Sequence, residues 1–172
     1  MKKEIVYRKA VPTDALLLSI LFQQVYISTY GTDGVTREYA TFITKRFAPD
    51  YIENTIKTSP DSIIVATYLG NPVGVAEIDF NRACPIGNIA APELSKLYVL
   101  EWFCGQGIGY NLMLNVEQTC IAMGHKQMWL EVWDLNPRAI DFYERLSYKS
   151  IGMVDFPMDD NTYDNRVMIK DL

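Results

Sequence analysis

The sequence predicts a mixed α/β (α+β) fold, and three observations carry that expectation. Short β-rich segments are interleaved with stretches of helical periodicity along all 172 residues. Too few of these segments form strand–helix–strand units to build a doubly wound parallel sheet. One stretch, Leu94 to Tyr110, joins a strand to a helix through the glycine-rich loop Cys104-Gly105-Gln106-Gly107-Ile108-Gly109.

In chain order, residues 3–9 read as a short strand, with Ile5 and Tyr7 alternating against Val6 and Arg8. Pro12 marks a helix start, where its missing N–H costs nothing. From Asp14 to Tyr30 a helical spacing runs through Leu17, Ile20, Leu21, Gln24, Val25 and Ser28, until Gly31, Asp33 and Gly34 break it. Two shorter helices are expected at Arg37–Phe47 and Asp50–Lys57, followed by a loop at Thr58-Ser59-Pro60-Asp61. Ser62–Leu69 and Val73–Phe80 form a hairpin around Gly70-Asn71-Pro72. Residues 81–92, with Pro85, Gly87 and Pro92, form a loop. The strand Leu94–Leu100 feeds the glycine loop and a helix from Gly107 to Met123, which Gly124 ends. Gln127–Trp133 is a strand, and Asn136-Pro137 opens a helix to Leu146 with Asn136 as N-cap and Pro137 in its first turn. Two last strands, 147–155 and 163–170, flank a turn at Asp159-Asp160-Asn161-Thr162.

A single domain, 1–172, is expected, because a chain of this length buries a full core. No run of about 18 apolar residues exists, and the N-terminus lacks the apolar segment of a signal peptide. A membrane location is therefore not expected. A net charge of −5 argues against nucleic acid as a partner and suits a cationic small substrate. Cys84, Cys104 and Cys120 have no metal-ligand spacing and read as reduced thiols of a cytoplasmic protein. His125, beside Gly124 and Lys126, reads as a surface helix end, and Trp102-Phe103 as packing under the glycine loop.

The strand–loop–helix element is built for an anion. Loop N–H groups and the first unpaired N–H groups of a helix converge on one point, where the helix dipole favours negative charge. The dinucleotide fingerprint would need glycine where Tyr110 stands, and a Walker loop would need G-K-[ST]. A pyrophosphate cradle of another type remains.

The motif L-Y-V-x(7)-G-x-G running into a helix, followed by W-L-E-V-W-D-L-N-P-R-A-I-D-F-Y-E-R-L, resembles the GNAT superfamily of acetyl-coenzyme A-dependent N-acetyltransferases. The N-terminal helices, the Leu-Glu-Val-Trp strand and the tail resemble its bacterial PaiA-type polyamine acetyltransferases. The resemblance implies a largely antiparallel mixed sheet of about seven strands, splayed between strands 4 and 5, with four to five helices. It implies an acyltransferase that uses acetyl-coenzyme A as co-substrate without a metal and transfers acetyl to a primary amine, a polyamine or other small amine, by direct attack. A homodimer is compatible with this resemblance.

By the same resemblance, backbone of Leu97, Tyr98 and Val99 pairs with the pantetheine arm, and the Val99 N–H stabilises the tetrahedral oxyanion. Cys104, Gly105, Gln106, Gly107, Ile108 and Gly109 hold the pyrophosphate. Cys104 departs from the family's usual arginine or glutamine, which shifts binding toward backbone contacts. Asn136 contacts the pantetheine side, and Tyr143 lies near the sulfur as the acid that protonates the leaving thiolate. Glu93 is the candidate base acting through water. Tyr30, Glu77, Glu131 and Trp133 are candidates for binding the acceptor, with Glu77 and Glu131 as alternative bases. Acetylation of a protein N-terminus or lysine, and acyl-coenzyme A binding without turnover, stand as alternatives.

Overall fold

The computed structural model describes residues 4–158 and 161–172. The elements are β1 (Ile5–Lys9), a 3-10 turn (Pro12–Asp14), α1 (Ala15–Tyr30), α2 (Arg37–Arg46), α3 (Pro49–Thr58), β2 (Ile63–Tyr68), β3 (Asn71–Asp79), β4 (Glu93–Val99), a second 3-10 turn (Glu101–Phe103), α4 (Ile108–Ala122), β5 (Gln127–Trp133), α5 (Pro137–Arg145), β6 (Lys149–Met158) and β7 (Asn161–Asp171). The strands hydrogen-bond in the order β1-β2-β3-β4-β5-β7-β6. The β1–β2, β2–β3, β5–β7 and β6–β7 ladders are antiparallel. The β4–β5 ladder is parallel and pairs Glu93 with Trp129 and Leu94 with Leu130, at the start of β4. This is the mixed, largely antiparallel sheet expected.

The chain divides into two compact units. One comprises the chain up to Glu77 together with Lys96–Val116, and the other Ile78–Ser95 with Glu117–Leu172. In the first, β2 is buried along nearly its whole length, as a strand covered on both faces must be. Gly74 and Glu77 of β3 point to opposite faces, because side chains alternate along a strand. On the Gly74 face, a Cβ built at Gly74 would lie 3.2 Å from Ile108 Cγ2, 3.2 Å from Leu112 Cδ1 and 3.3 Å from the Tyr98 carbonyl oxygen. Glycine here is what lets the first turns of α4 seat closely on the sheet.

Helix α1 corrects the expected face. Leu18, Leu21, Phe22 and Tyr26 are buried, whereas Leu17 is 50% and Ile20 58% exposed. The segment Ala15–Phe22 is apolar nearly all round, so periodicity alone does not choose a side. The choice is made by aromatic packing: Phe22 stacks on Phe47 at 5.2 Å and meets Tyr98 edge-on at 5.9 Å. The hairpin turn is also corrected. Leu69 (φ 51°) and Gly70 (φ 81°) form it, while Asn71 and Pro72 already belong to β3. Two consecutive positive φ values match the twist of a two-residue hairpin.

In the second unit β5 spans the expected residues. β6 and β7 are longer than expected, reaching Met158 and starting at Asn161. The expected turn residues Asp159 and Asp160, and Lys3 of the first strand, lie outside the described residues. Gly124 ends α4 at φ +89°, with His125 N–H donating to the Cys120 carbonyl (3.0 Å). His125 itself stacks on Phe80. Among the described residues no helix is long and apolar enough to cross a membrane.

Gly74→Val is expected to destabilise the protein by about 2 kcal/mol through overpacking against α4. A urea titration followed by circular dichroism measures the loss.

Candidate functional site

The first unit carries the glycine loop. Leu100 N–H donates to the Val73 carbonyl at 3.0 Å, which ties the chain to β3 just past the end of β4. The 3-10 turn then closes, with Phe103 N–H donating to Leu100 O (2.8 Å) and Cys104 N–H to Glu101 O (3.0 Å). The turn sends Phe103 against Tyr68 at 5.8 Å and leaves Trp102 87% exposed. Trp102 therefore does not pack under the loop as expected; successive residues of so tight a turn point in different directions. Instead its carbonyl accepts from Gln106 Nε2 (3.0 Å).

Gly105 and Gly107 have φ of +73° and +78°, in the left-handed region that favours glycine. No atom lies within 4 Å of a Cβ built at Gly105. The requirement there is one of backbone conformation and open approach. The Gly107 carbonyl accepts from Asn111 N–H at 3.1 Å and from Asn111 Nδ2 at 3.0 Å, so α4 begins directly after Gly107. The N–H groups of its first turn have no partner within the helix, and they follow directly on two glycines. This suits a diphosphate. Cys104 turns its thiol inward, toward the carbonyls of Val99 and Leu100 at 3.7 Å each. It thereby braces the junction of strand and loop.

The same unit holds Tyr30, Tyr98 and Glu77. Tyr30 and Tyr98 share a side-chain hydrogen bond, and burial pushes the Tyr30 phenol above its ordinary value of 10 despite that bond. Tyr26 is core, its ring 4.6 Å from that of Tyr30 and 5.2 Å from that of Phe42. Glu77 is buried between two cations, Arg46 Nη2 at 2.6 Å and Lys96 Nζ at 3.3 Å. Burial alone would raise its pKa, but Lys96 and Arg46 outweigh it and hold the carboxyl below its ordinary value. Arg46 also lies 4.7 Å above the Tyr51 ring, and Lys96 5.9 Å from the Phe47 ring. Neither cation carried a motif in the sequence. Each faces Glu77 only because α2, β3 and β4 pack together.

The second unit holds the remaining candidates. Glu93, at the start of β4, is 3% exposed, in contrast to a solvated strand end. Its Oε1 accepts from Arg82 Nη1 at 2.6 Å. The other terminal nitrogen of Arg82 donates to Glu131 Oε1, also at 2.6 Å. Asn165 Nδ2 donates to Glu131 Oε2 at 3.2 Å. Glu93 and Glu131 are thus joined through one guanidinium that sequence reading passed over, because Arg82 sits in a loop without periodicity. Trp133 ends β5, where it pairs with Asn165.

Asn136 Oδ1 accepts from Ala139 N–H at 3.1 Å, the N-cap expected, with Pro137 in the first turn of α5. Ile140 and Tyr143, three residues apart on one helix face, are both buried. The Tyr143 ring meets Phe142 at 5.4 Å and Tyr148 at 5.9 Å, both edge-on. Tyr148 is itself held by Glu117, whose carboxylate also takes Lys170 Nζ at 2.7 Å. Cys84, Cys104 and Cys120 are free.

A sequence profile described as the acetyltransferase (GNAT) family matches residues 30–148. The chain is 31% identical over 132 residues to an uncharacterised N-acetyltransferase of Mycobacterium tuberculosis H37Rv, covering 73% of this chain and 85% of the relative. It is 28% identical over 133 residues to an uncharacterised N-acetyltransferase of Methanocaldococcus jannaschii, covering 77% of this chain but only 57% of that relative. Among solved structures it is similar to the PaiA N-acetyltransferase of Thermoplasma acidophilum in complex with coenzyme A. The TM-score there is 0.75 at 21% identity over 98% of this chain and 99% of the other. It is also similar to yncA of Salmonella typhimurium with its cofactor acetyl-CoA, at a TM-score of 0.72 and 16% identity over 98% and 94%.

Glu77→Gln is expected to cost about 3 kcal/mol at neutral pH, because it leaves two cations without their carboxylate. The Glu77 contribution is present above the ordinary glutamate value of 4.5 and is lost as pH falls through the lower folded value. The stability gap between wild type and variant should therefore narrow below pH 4.5, as read by denaturant titrations across pH.

Proposed function

The chain belongs to the acetyltransferase (GNAT) family, and from that premise we propose that it moves an acetyl group from acetyl-coenzyme A to a small primary amine, a polyamine foremost, by direct attack. The observation that carries this reading is the left-handed backbone at Gly105 and Gly107 opening directly into α4. Such a loop accepts a diphosphate through main-chain donors. The inward-turned Cys104 fits that picture, since a loop bound through its backbone needs no charged side chain at this position. In the proposal Gly105, Gln106, Gly107, Ile108 and Gly109 hold the diphosphate. Backbone of Leu97, Tyr98 and Val99 pairs with the pantetheine arm, and Asn136 contacts the same arm while capping α5.

The co-substrate supplies a thioester whose carbonyl carbon the amine attacks. Glu93 takes the proton of the acceptor ammonium, through water, so that a nucleophilic lone pair is available. Val99 N–H donates to the developing oxyanion. The new C–N bond forms, the C–S bond breaks, the Tyr143 hydroxyl gives its proton to the departing thiolate, and the second proton shed by the amine nitrogen goes back to the Tyr143 oxygen. Glu131, Tyr30 and Trp133 are assigned to the acceptor, since a carboxylate and aromatic faces suit an alkylammonium. Glu77 is assigned instead to holding Arg46 and Lys96, its partners in the fold. The resemblance of the sequence to PaiA-type enzymes and the carboxylates Glu93 and Glu131, whose side chains are 3% and 8% exposed, support a polyamine within the amine class. A reducing compartment such as the cytoplasm suits the three free thiols.

The test is thiol release from acetyl-coenzyme A against a panel of primary amines that includes spermidine and a peptide with a free N-terminus. Turnover is expected with spermidine. Stabilisation by the co-substrate with no turnover on any amine would overturn the reading. Tyr143→Phe is expected to lower kcat on the same assay at least tenfold, with KM for acetyl-coenzyme A unchanged. Gly105→Ala places a Cβ on left-handed backbone at about 1 kcal/mol, and the resulting distortion of the cradle should raise the Kd for coenzyme A about fivefold by calorimetry.

A further inference from the structure

We propose that Arg82 is a positioning residue for the acceptor amine's base: it acts through Glu93, fixing that carboxylate and locking it to Glu131. The inference rests on the amine-acetylation reading, with Glu93 as base.

The arrangement is built from both ends. The Arg82 backbone is pinned where β3 stops, with Asp79 Oδ1 accepting from Asn81 N–H (2.8 Å) and Arg82 N–H (3.0 Å). The loop that follows is packed down as well. Cys84, Ile86, Ile89 and Ala91 form an apolar cluster with Trp129, Val167 and Ile169, and Trp129 Nε1 donates to the Ala91 carbonyl at 2.9 Å. Ile86 lies over Gly152, where a Cβ would come within 2.6 Å of its Cδ1. The guanidinium itself rests 5.5 Å from the Trp129 ring centroid. Backbone, loop and ring thus hold the planar group in one orientation.

From there Arg82 uses its two terminal nitrogens separately, one for Glu93 and one for Glu131, each at 2.6 Å. Asn165 fixes the far oxygen of Glu131. The result is a continuous chain from β7 through β5 and the loop to β4. Charge balance alone would not require this: a lysine ammonium neutralises a carboxylate as a mobile point charge. A planar fork spanning two acids sets an angle and a distance, which is what a base needs to meet its proton in line.

The experiment is a mutant cycle in kcat with spermidine and acetyl-coenzyme A, on Arg82→Gln, Arg82→Lys, Glu93→Gln and the two double variants, with thermal melts confirming that each is folded. Arg82→Gln is expected to lower kcat about tenfold and Glu93→Gln about a hundredfold, both with KM for acetyl-coenzyme A unchanged. Because Arg82 acts through Glu93, either Arg82 change added to Glu93→Gln should cost nothing further. Arg82→Lys keeps the charge but loses the fork, so it should fall severalfold below wild type. It also covers the case in which Arg82→Gln fails to fold. A further loss in the double variants equal to that in the singles, or full activity of Arg82→Lys, would overturn the inference and leave acetyl transfer standing. Full activity of Glu93→Gln would remove the base and the inference with it. No turnover by wild type on any amine would remove the acetyltransferase reading itself.

Discussion

A carboxylate taken out of water must meet a cation, and both units are organised around that requirement. Glu77 in β3 meets Arg46 from α2 and Lys96 from β4. Glu93 and Glu131, on neighbouring strands, meet Arg82 from the loop after β3. Glu117 in α4 meets Lys170 from β7. Asp14 meets Arg8 of β1, whose guanidinium holds the carboxyl below its usual range. In each case the partners come from different elements, so a wrong strand register or helix face would strand a charge. A one-residue slip would also turn a strand's apolar side chains to the other face, so the core and these pairs select the same packing.

The same requirement leaves these acids in different surroundings. Glu77 is held by two cations, each of which lies against an aromatic ring, and this ties α2 to the sheet. Glu93 and Glu131 share a guanidinium whose own side chain is 43% exposed, carried by the loop between β3 and β4. Glycine plays the complementary part in the first unit. Gly74 removes a side chain so that α4 can approach, and Gly105 and Gly107 supply left-handed backbone just before that helix begins.

Local physics made much of this readable in advance. Asn136-Pro137 announced the start of α5 because an N-cap and a first-turn proline act through their own backbone neighbours. The bounds of β5 followed from a run of β-favouring residues between a helix-ending glycine and a capped helix. Where no local preference dominated, the reading slipped. The apolar run of α1 offered several faces, and the packing of Phe22 and Tyr26 against other aromatic rings selected one. The hairpin closed on Leu69-Gly70 because the β2–β3 register, with its irregularity at Ala66/Thr67, brought Asn71 opposite Tyr68. Trp102 pointed outward because the short turn after β4 could seat only one of two adjacent aromatic rings.

The sequence by itself determined the element types, the mixed α/β class, the glycine loop at the head of α4 and the positions of Asn136 and Tyr143 on α5. All of these depend on preferences expressed within a few residues of the chain. Tertiary structure alone decided which charges meet: Glu77 with Arg46, 31 residues away, and Arg82 with Glu131, 49 residues away. Such pairings carry no periodicity and no spacing, because they arise from strand order and loop path. The carboxylates of the candidate site were legible as residues, and the cation that joins them became visible only in the folded chain.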